Sequence, residues 1–227
     1  MLNGGQTLSD IGMKSFTDIK IGDKSLINDF DVFVFDLDDT LYPEIEYLKY
    51  AYAEIADYVS QKYQLNRDSI NTFLIDTFLT EGRVKLFDKL IKTYFLDQDD
   101  VVSFLEILRN VSINNIIEPF PLIIDLLRTL KERNKLVFIL TNGNPVQQKN
   151  KIESINWHDL NSFFTPIYAN LLAPKPSPIG LFEILKLSSA VSEKIIFIGD
   201  SEVDRLSAYN AQMAFLDVNR MMQFLEK

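Results

Sequence analysis

The sequence predicts an α/β fold in which a parallel-sheet core is interrupted by an all-helical insertion. Three observations carry this prediction. Short, wholly apolar runs at Val32 to Phe35, Leu136 to Leu140 and Ile195 to Ile198 each break off into polar residues. After the second run, apolar segments alternate with segments of helical periodicity. From Pro43 to Glu118, by contrast, only helical periodicity is found. A continuous β-branched and aromatic run suits a strand buried on both faces of a parallel sheet, and strands alternating with helices argue for βαβ connections.

Met1 to Gly5 has neither a basic start nor an apolar segment, so no secretory signal is expected there. Residues 1–30 are expected to form an N-terminal extension. Its first dozen residues are expected to be disordered, and Ile19-Lys20-Ile21 with Ser25-Leu26-Ile27 are expected to form a small hairpin. Val32 to Phe35 is the first core strand, ending in three carboxylates within four positions: Asp36, Asp38 and Asp39.

Beyond Pro43, which suits a first helical turn, Ile45, Leu48, Tyr52, Ile55, Val59 and Tyr63 recur at three- and four-residue steps. Further helices are predicted around Asp68 to Leu79, Val84 to Phe95 and Asp99 to Arg109, with Gly82 stopping the first of these. The aromatics of the block, Tyr47, Tyr50, Tyr52, Phe73, Phe78, Phe87, Tyr94 and Phe95, are expected mostly in its core.

Pro119 and Pro121 mark the return to the sheet. A helix over Ile123 to Leu130 leads into the strand Leu136 to Leu140, and Pro145 is placed to open the next helix. Phe163 to Ala169 reads as a weaker strand. Ser177-Pro178 reads as the N-cap and first residue of a helix through Leu187, before the strand Ile195 to Ile198. A helix near Glu202 to Asn210, a short strand Ala214 to Val218 and a terminal helix complete the chain.

Composition narrows the chemistry. At 227 residues, with 47% hydrophobic and 24% charged residues, the chain can hold one large domain or a core with a smaller insert. A net charge of −9 argues against nucleic-acid and anionic-membrane surfaces, which need basic clusters to neutralise phosphates. No apolar run is long enough to span a membrane. The absence of cysteine removes disulfides, thiol nucleophiles and cysteine–zinc sites, and is compatible with a reducing cytoplasm. The single histidine, His158, reads as a loop or helix-end residue with a structural or solvent role. Chemistry is left to carboxylates, lysine and hydroxyls.

Polar residues at three strand ends are the candidates, because ends of parallel strands share one edge of the sheet. If the chain stays extended past Phe35, Asp36 and Asp38 point to the same side. Two carboxylates so close hold a proton between them unless a cation neutralises them, and oxygen-only ligands suit a hard ion such as magnesium. The plainer reading is an acidic turn, with Asp39 or Thr40 as a helix N-cap. Thr141-Asn142-Gly143 offers a hydroxyl, an amide and backbone N–H groups that suit phosphate oxygens; it is also an ordinary turn. Lys175, between Pro174 and Pro176, is restricted in its wandering by both prolines, and reads equally as a surface lysine in a rigid turn. Asp200 and Asp204 follow the fourth strand, where Gly-Asp-Ser-Glu is also a good helix start.

Asp36-Leu37-Asp38-Asp39-Thr40-Leu41-Tyr42 resembles the first signature of the haloacid dehalogenase superfamily, in its phosphatase branch. Thr141-Asn142-Gly143 resembles the second motif, Lys175 the third, and Gly199-Asp200-Ser201-Glu202-Val203-Asp204 the fourth. One departure is Gln212, where many relatives have glycine, which puts a turn in question. Gln147 and Gln148 look somewhat like nucleotidase relatives.

The resemblance implies a Rossmann-like core over 31–42 and 119–227 with a helical cap over 43–118. It implies a magnesium-dependent phosphatase acting on a small phosphorylated metabolite, such as a nucleotide or sugar phosphate. Asp36 would be the nucleophile and Asp38 the proton shuttle. Thr141, Asn142, Gly143 and Lys175 would bind phosphate. Mg2+ would be held by Asp36, the backbone carbonyl of Asp38 and Asp200, with Asp204 ordering the site. A haloacid dehalogenase is disfavoured, since it neither needs a metal nor wants a proton donor at Asp38. The rivals kept are a sugar phosphomutase and a catalytically silent phosphate-binding module.

Overall fold

The computed structural model of the chain describes residues 24–111, 113 and 116–225. It divides into two compact units. The first comprises the described part of Met1–Asp36 with Asp125–Thr141 and Ser162–Lys227; the second comprises Leu37–Ile124 and Asn142–Asn161.

The first unit is built on five parallel strands, β1 (Val32–Phe35), β2 (Leu136–Thr141), β3 (Phe164–Tyr168), β4 (Ile195–Gly199) and β5 (Ala214–Asp217), in the order β3-β2-β1-β4-β5. β1 lies in the centre, with Val32 in register with Leu136 on one side and Ile195 on the other. All four of its residues are buried, which is why its sequence is a solid apolar run and not an alternation. The chain winds outward from β1 in both directions, so the strand order reverses there. Such a reversal is where open α/β sheets bind ligands, beyond the strand C-termini. Asp36, Thr141 and Asp200 stand at those termini.

Helices α8 (Ile179–Ser188) and α9 (Glu202–Ala211) cover the sheet, placing Leu181, Ile184 and Ala208 against Val34, Leu140, Ile195 and Phe197. α10 (Val218–Leu225) follows β5, and α1 (Lys24–Asp29) precedes β1. α9 ends on Gln212 in the left-handed conformation (φ 56°), its N–H donating to the carbonyls of Ala208 and Tyr209. The turn that favours glycine is therefore made, with a side chain in place.

The second unit is helical. α2 (Glu44–Tyr63) buries Tyr47, Leu48, Ala51, Tyr52, Ile55 and Val59 along one stripe. α3 (Arg67–Glu81) is capped by the Asn66 side chain and stopped by Gly82 at φ 76°. α4 (Leu86–Tyr94) and α5 (Asp100–Asn110) complete the block, with the Phe104 ring against Tyr58 and Phe87. α7 (Pro145–Ser154) groups with these helices, so the unit takes in more than residues 43–118. α6 (Pro121–Glu132) begins in the second unit and ends in the first. No described helix is long and apolar enough to cross a membrane.

Local expectations fail where a segment is too short to set a period. Ser25-Leu26-Ile27 lies in helix α1, not in a hairpin strand, because three residues fit either pattern. Ile19-Lys20-Ile21 and the first dozen residues lie outside the described residues. Pro43 is the N-cap of α2 with ψ 116°, one place before the first turn, and Pro178 likewise occupies the cap of α8. Phe95 is 91% exposed, since its left-handed φ of 54° at the end of α4 takes the ring off the buried stripe; Tyr50 is also exposed.

Candidate active site

Asp36 is carried one residue past β1, where its N–H donates to the carbonyl of Ile198 at 2.9 Å and prolongs the ladder with β4. Its Oδ1 accepts from Lys175 Nζ at 2.6 Å, and the same ammonium donates to Asp204 Oδ1, also at 2.6 Å. Lys175 is 6% exposed and lies 5.5 Å above the Phe197 ring. Burial alone would push its pKa down, but Asp36 and Asp204 outweigh this and hold it above the ordinary lysine value.

Asp204 is fully buried at the start of α9. Its Oδ2 accepts from the Ser201 hydroxyl and N–H, and the Ser201 hydroxyl in turn accepts from the Asp204 N–H, forming a capping box. Gly199 makes room for it: a Cβ there would lie 2.7 Å from Asp204 Oδ2. The helix-start reading of Gly-Asp-Ser-Glu holds, and the residue that closes the capping box, Asp204, also pairs with Lys175.

Asp200 completes the cluster. One carboxylate oxygen from each of Asp36, Asp200 and Asp204 lies within 4.8 Å of the others. Three carboxylates meet here, two of them paired with Lys175, and the donors are all oxygen. This set fits a hard divalent cation such as Mg2+.

Past Asp36 the chain does not stay extended. Asp38 forms a bridge with Tyr42, Asp39 turns through φ 53°, and Leu41 N–H closes onto the Leu37 carbonyl. Asp39 Oδ1 accepts from the Glu44 N–H at 2.9 Å, so this member of the acidic triplet does serve the start of α2. The Asp38 carboxylate has protein donors on both oxygens: Tyr42 hydroxyl on Oδ1 at 2.8 Å and Lys151 Nζ on Oδ2 at 2.7 Å. Asp36 and Asp38 each accept from a lysine of their own unit, Lys175 and Lys151.

Lys151, on α7, is fully buried and also donates to Glu44 Oε1 at 2.7 Å. The Arg83 guanidinium pairs with Glu44 Oε2. Burial would raise the pKa of Asp38, but Lys151 and the hydrogen bond from Tyr42 outweigh it and lower the value. Burial and the charge of Asp38 raise Glu44, against the pull of Lys151 and Arg83. Sequence reasoning missed Lys151, Glu44 and Arg83. The one signal was a lysine beside Ile152 and one turn from Gln148 on α7, on the helix face that is buried. The polar composition of α7 hides it.

Thr141 is the last residue of β2, buried, in register with Tyr168. The Asn142 carbonyl accepts from Gln148 Nε2 at 2.8 Å, and Gly143 at φ 123° passes so close to Gln148 that a side chain there would strike it. Asn144 then caps α7, with Pro145 in its first turn. His158 is exposed, its Nε2 3.5 Å from a Glu118 carboxylate oxygen.

The structure therefore gathers Asp36, Lys175, Asp200 and Asp204 in the first unit. It gathers Asp38 with Tyr42, Glu44, Arg83 and Lys151 in the second. Residues 30–212 match a family model described as haloacid dehalogenase-like hydrolase. No curated protein matches the sequence significantly.

Among solved structures, a predicted phosphoglycolate phosphatase from Haemophilus somnus superposes with a TM-score of 0.58 at 20% identity, over 83% of this chain and 85% of the other. A hydrolase from Streptococcus pneumoniae TIGR4 gives 0.54 at 16%, over 88% and 100%. An L-2-haloacid dehalogenase from Xanthobacter autotrophicus with chloropropionic acid covalently bound gives 0.51 at 14%, over 83% and 77%. At these identities the likeness is one of fold.

Proposed function

The chain belongs to the haloacid dehalogenase-like hydrolases, and from that premise we propose that it is a magnesium-dependent phosphatase of small phosphomonoesters. The observation that carries this reading is the Asp36–Lys175–Asp204 bridge with Asp200 beside it, three carboxylates whose oxygens converge within 4.8 Å.

In the proposed reaction, Asp36 attacks phosphorus in line. The bond from phosphorus to the leaving oxygen breaks, and an aspartyl-phosphate forms. Asp38, a carboxylate in the free protein, passes a proton from the phosphomonoester monoanion to the leaving oxygen and later takes one from the attacking water, which releases inorganic phosphate and regenerates Asp36. Lys175 offsets charge on the nucleophile and on the phosphoryl group, and Asp204 keeps that ammonium in place. Thr141, Asn142 and Gly143 are assigned to the phosphate oxygens. Asp36, Asp200 and the Asp38 carbonyl would hold Mg2+, which when bound supplies further charge neutralisation at phosphorus.

The substrate is assigned to the class of small phosphorylated metabolites, nucleotide or sugar phosphates among them, with the helices of 43–118 as the part that selects it. The net charge of −9 supports a small-molecule substrate over nucleic acid, and the lack of cysteine accords with a reducing cytoplasm. The test is magnesium-dependent phosphate release from an aryl phosphate, followed by a panel of sugar phosphates, nucleoside monophosphates and phosphorylated acids. Isomerised sugar phosphate in place of released phosphate would make the chain a phosphomutase. Binding without turnover would make it a silent module.

A further inference from the structure

The second unit contains a charge network, buried except at Arg83, that the proposed reaction does not call for. Lys151 pairs with Asp38 and Glu44, and Arg83 pairs with Glu44. Lys151 is fully buried, its Nζ 5.6 Å from the centre of the Tyr47 ring and 2.7 Å from each of its two carboxylate partners. Burying an ammonium and two carboxylates costs several kcal/mol per ion before pairing, and an apolar core of similar volume is commonly as stable. A network of this kind is therefore poorly explained by stability alone.

Its geometry converges on Asp38. A carboxylate turns about two side-chain bonds, and each of its oxygens here is held by a different element. Tyr42, in the loop that carries Asp38, donates to Oδ1, and Lys151, from α7, donates to Oδ2. Tyr42 is fully buried, so neither donor has room to wander. A carboxylate offers about four lone-pair sites, so two donors fix its plane and leave acceptor capacity for a transferred proton.

We infer that Lys151 and Tyr42 are positioning residues that hold the Asp38 carboxylate, one on each oxygen, in the orientation from which it transfers protons. Glu44 also anchors Lys151, and Arg83 pairs with Glu44. This rests on the phosphatase reading above, in which Asp38 is the proton carrier.

The test is a pair of double-mutant cycles read by single-turnover phosphoryl transfer from an alkyl phosphate, with folding checked by thermal melts. Lys151→Met in the otherwise native chain should slow transfer about tenfold or more, a part of the 10²–10⁴ that a positioned acid–base group supplies. Tyr42→Phe keeps every charge and should fold even if Lys151→Met does not; it should slow transfer about threefold, as befits one hydrogen bond. Introduced into Asp38→Asn, either change should cost nothing further, because a residue that acts through Asp38 has nothing left to position. Lys151→Arg should recover part of the loss.

Losses of equal size in the native and Asp38→Asn backgrounds would overturn the inference and leave the phosphatase reading standing. An Asp38→Asn enzyme as fast as the native one would overturn the proton-carrier role and this inference together.

Discussion

Each unit of the molecule buries one lysine between two carboxylates, and the two arrangements match in detail up to a point. Lys175 lies 2.6 Å from Asp36 and from Asp204; Lys151 lies 2.7 Å from Asp38 and from Glu44. Both lysines are held charged, their burial outweighed by the paired anions. The difference lies in the next neighbour. Beside Lys175 stands another carboxylate, Asp200. Beside Glu44 stands another cation, Arg83. Near-identical pairs thus have next neighbours of opposite charge.

The severest break of this comparison is Asp36→Asn, which keeps the side chain's shape and removes the attacking charge. Turnover should fall by several orders of magnitude while the melting curve stays cooperative. Ordinary turnover, with deamidation excluded by mass spectrometry, would refute the assignment.

Replacing each lysine by methionine comes next. Both changes strand buried carboxylates and should cost about 3–5 kcal/mol in denaturant titrations. They should then part company: Mg2+ should recover some of the loss in Lys175→Met, where a cation can compensate the acids, and none in Lys151→Met. Equal recovery in both, or in neither, would erase the distinction.

A smaller effect is expected from magnesium on the native chain. Saturation at a hundred times the dissociation constant corresponds to about 2.7 kcal/mol, read as a rise in Tm without any substrate present. Asp200→Asn should reduce or abolish that rise, and a chelator should return the native chain to its metal-free Tm.

The smallest effect concerns an anion in the second unit whose lysine is not buried. Asp100 accepts from Lys62 and Tyr58 at 2.6 Å and from Tyr63, and these contacts outweigh burial to lower its pKa. A depressed carboxylate contributes stability that is present above its unfolded pKa and lost as pH falls through the folded value. Asp100→Asn should therefore lower Tm by a few degrees at pH 7. The gap to the native chain should narrow as the pH drops below the ordinary carboxylate range. A gap that persists in acid would mean that the hydrogen bonds, and not the charge, do the stabilising. Since Lys62 is 40% exposed, this effect should also shrink with salt, unlike that of either buried lysine.

What the sequence determined by itself is everything governed by local pattern. β1 is legible in Val32 to Phe35 because a strand buried on both faces has no polar positions. α2 is legible in its three- and four-residue steps, and the stop at Gly82 in the one residue that adopts its φ without cost. Asp36, Thr141 and Asp200 could be placed together because parallel strands present their C-termini on one edge. Gln212 shows the limit of such rules, since a non-glycine residue makes the left-handed turn when two backbone hydrogen bonds compensate for it.

Tertiary structure alone decided the ion partners. Lys175 and Asp204 are 29 residues apart, and Lys151 and Asp38 are 113 apart. No local pattern couples such positions, because what pairs them is the burial of each charge where no water can serve it. For the same reason Lys151 passed unnoticed in a polar helix. A lysine in sequence is a surface residue by default, and it becomes part of a site only when folding removes every alternative to the carboxylates on either side of it.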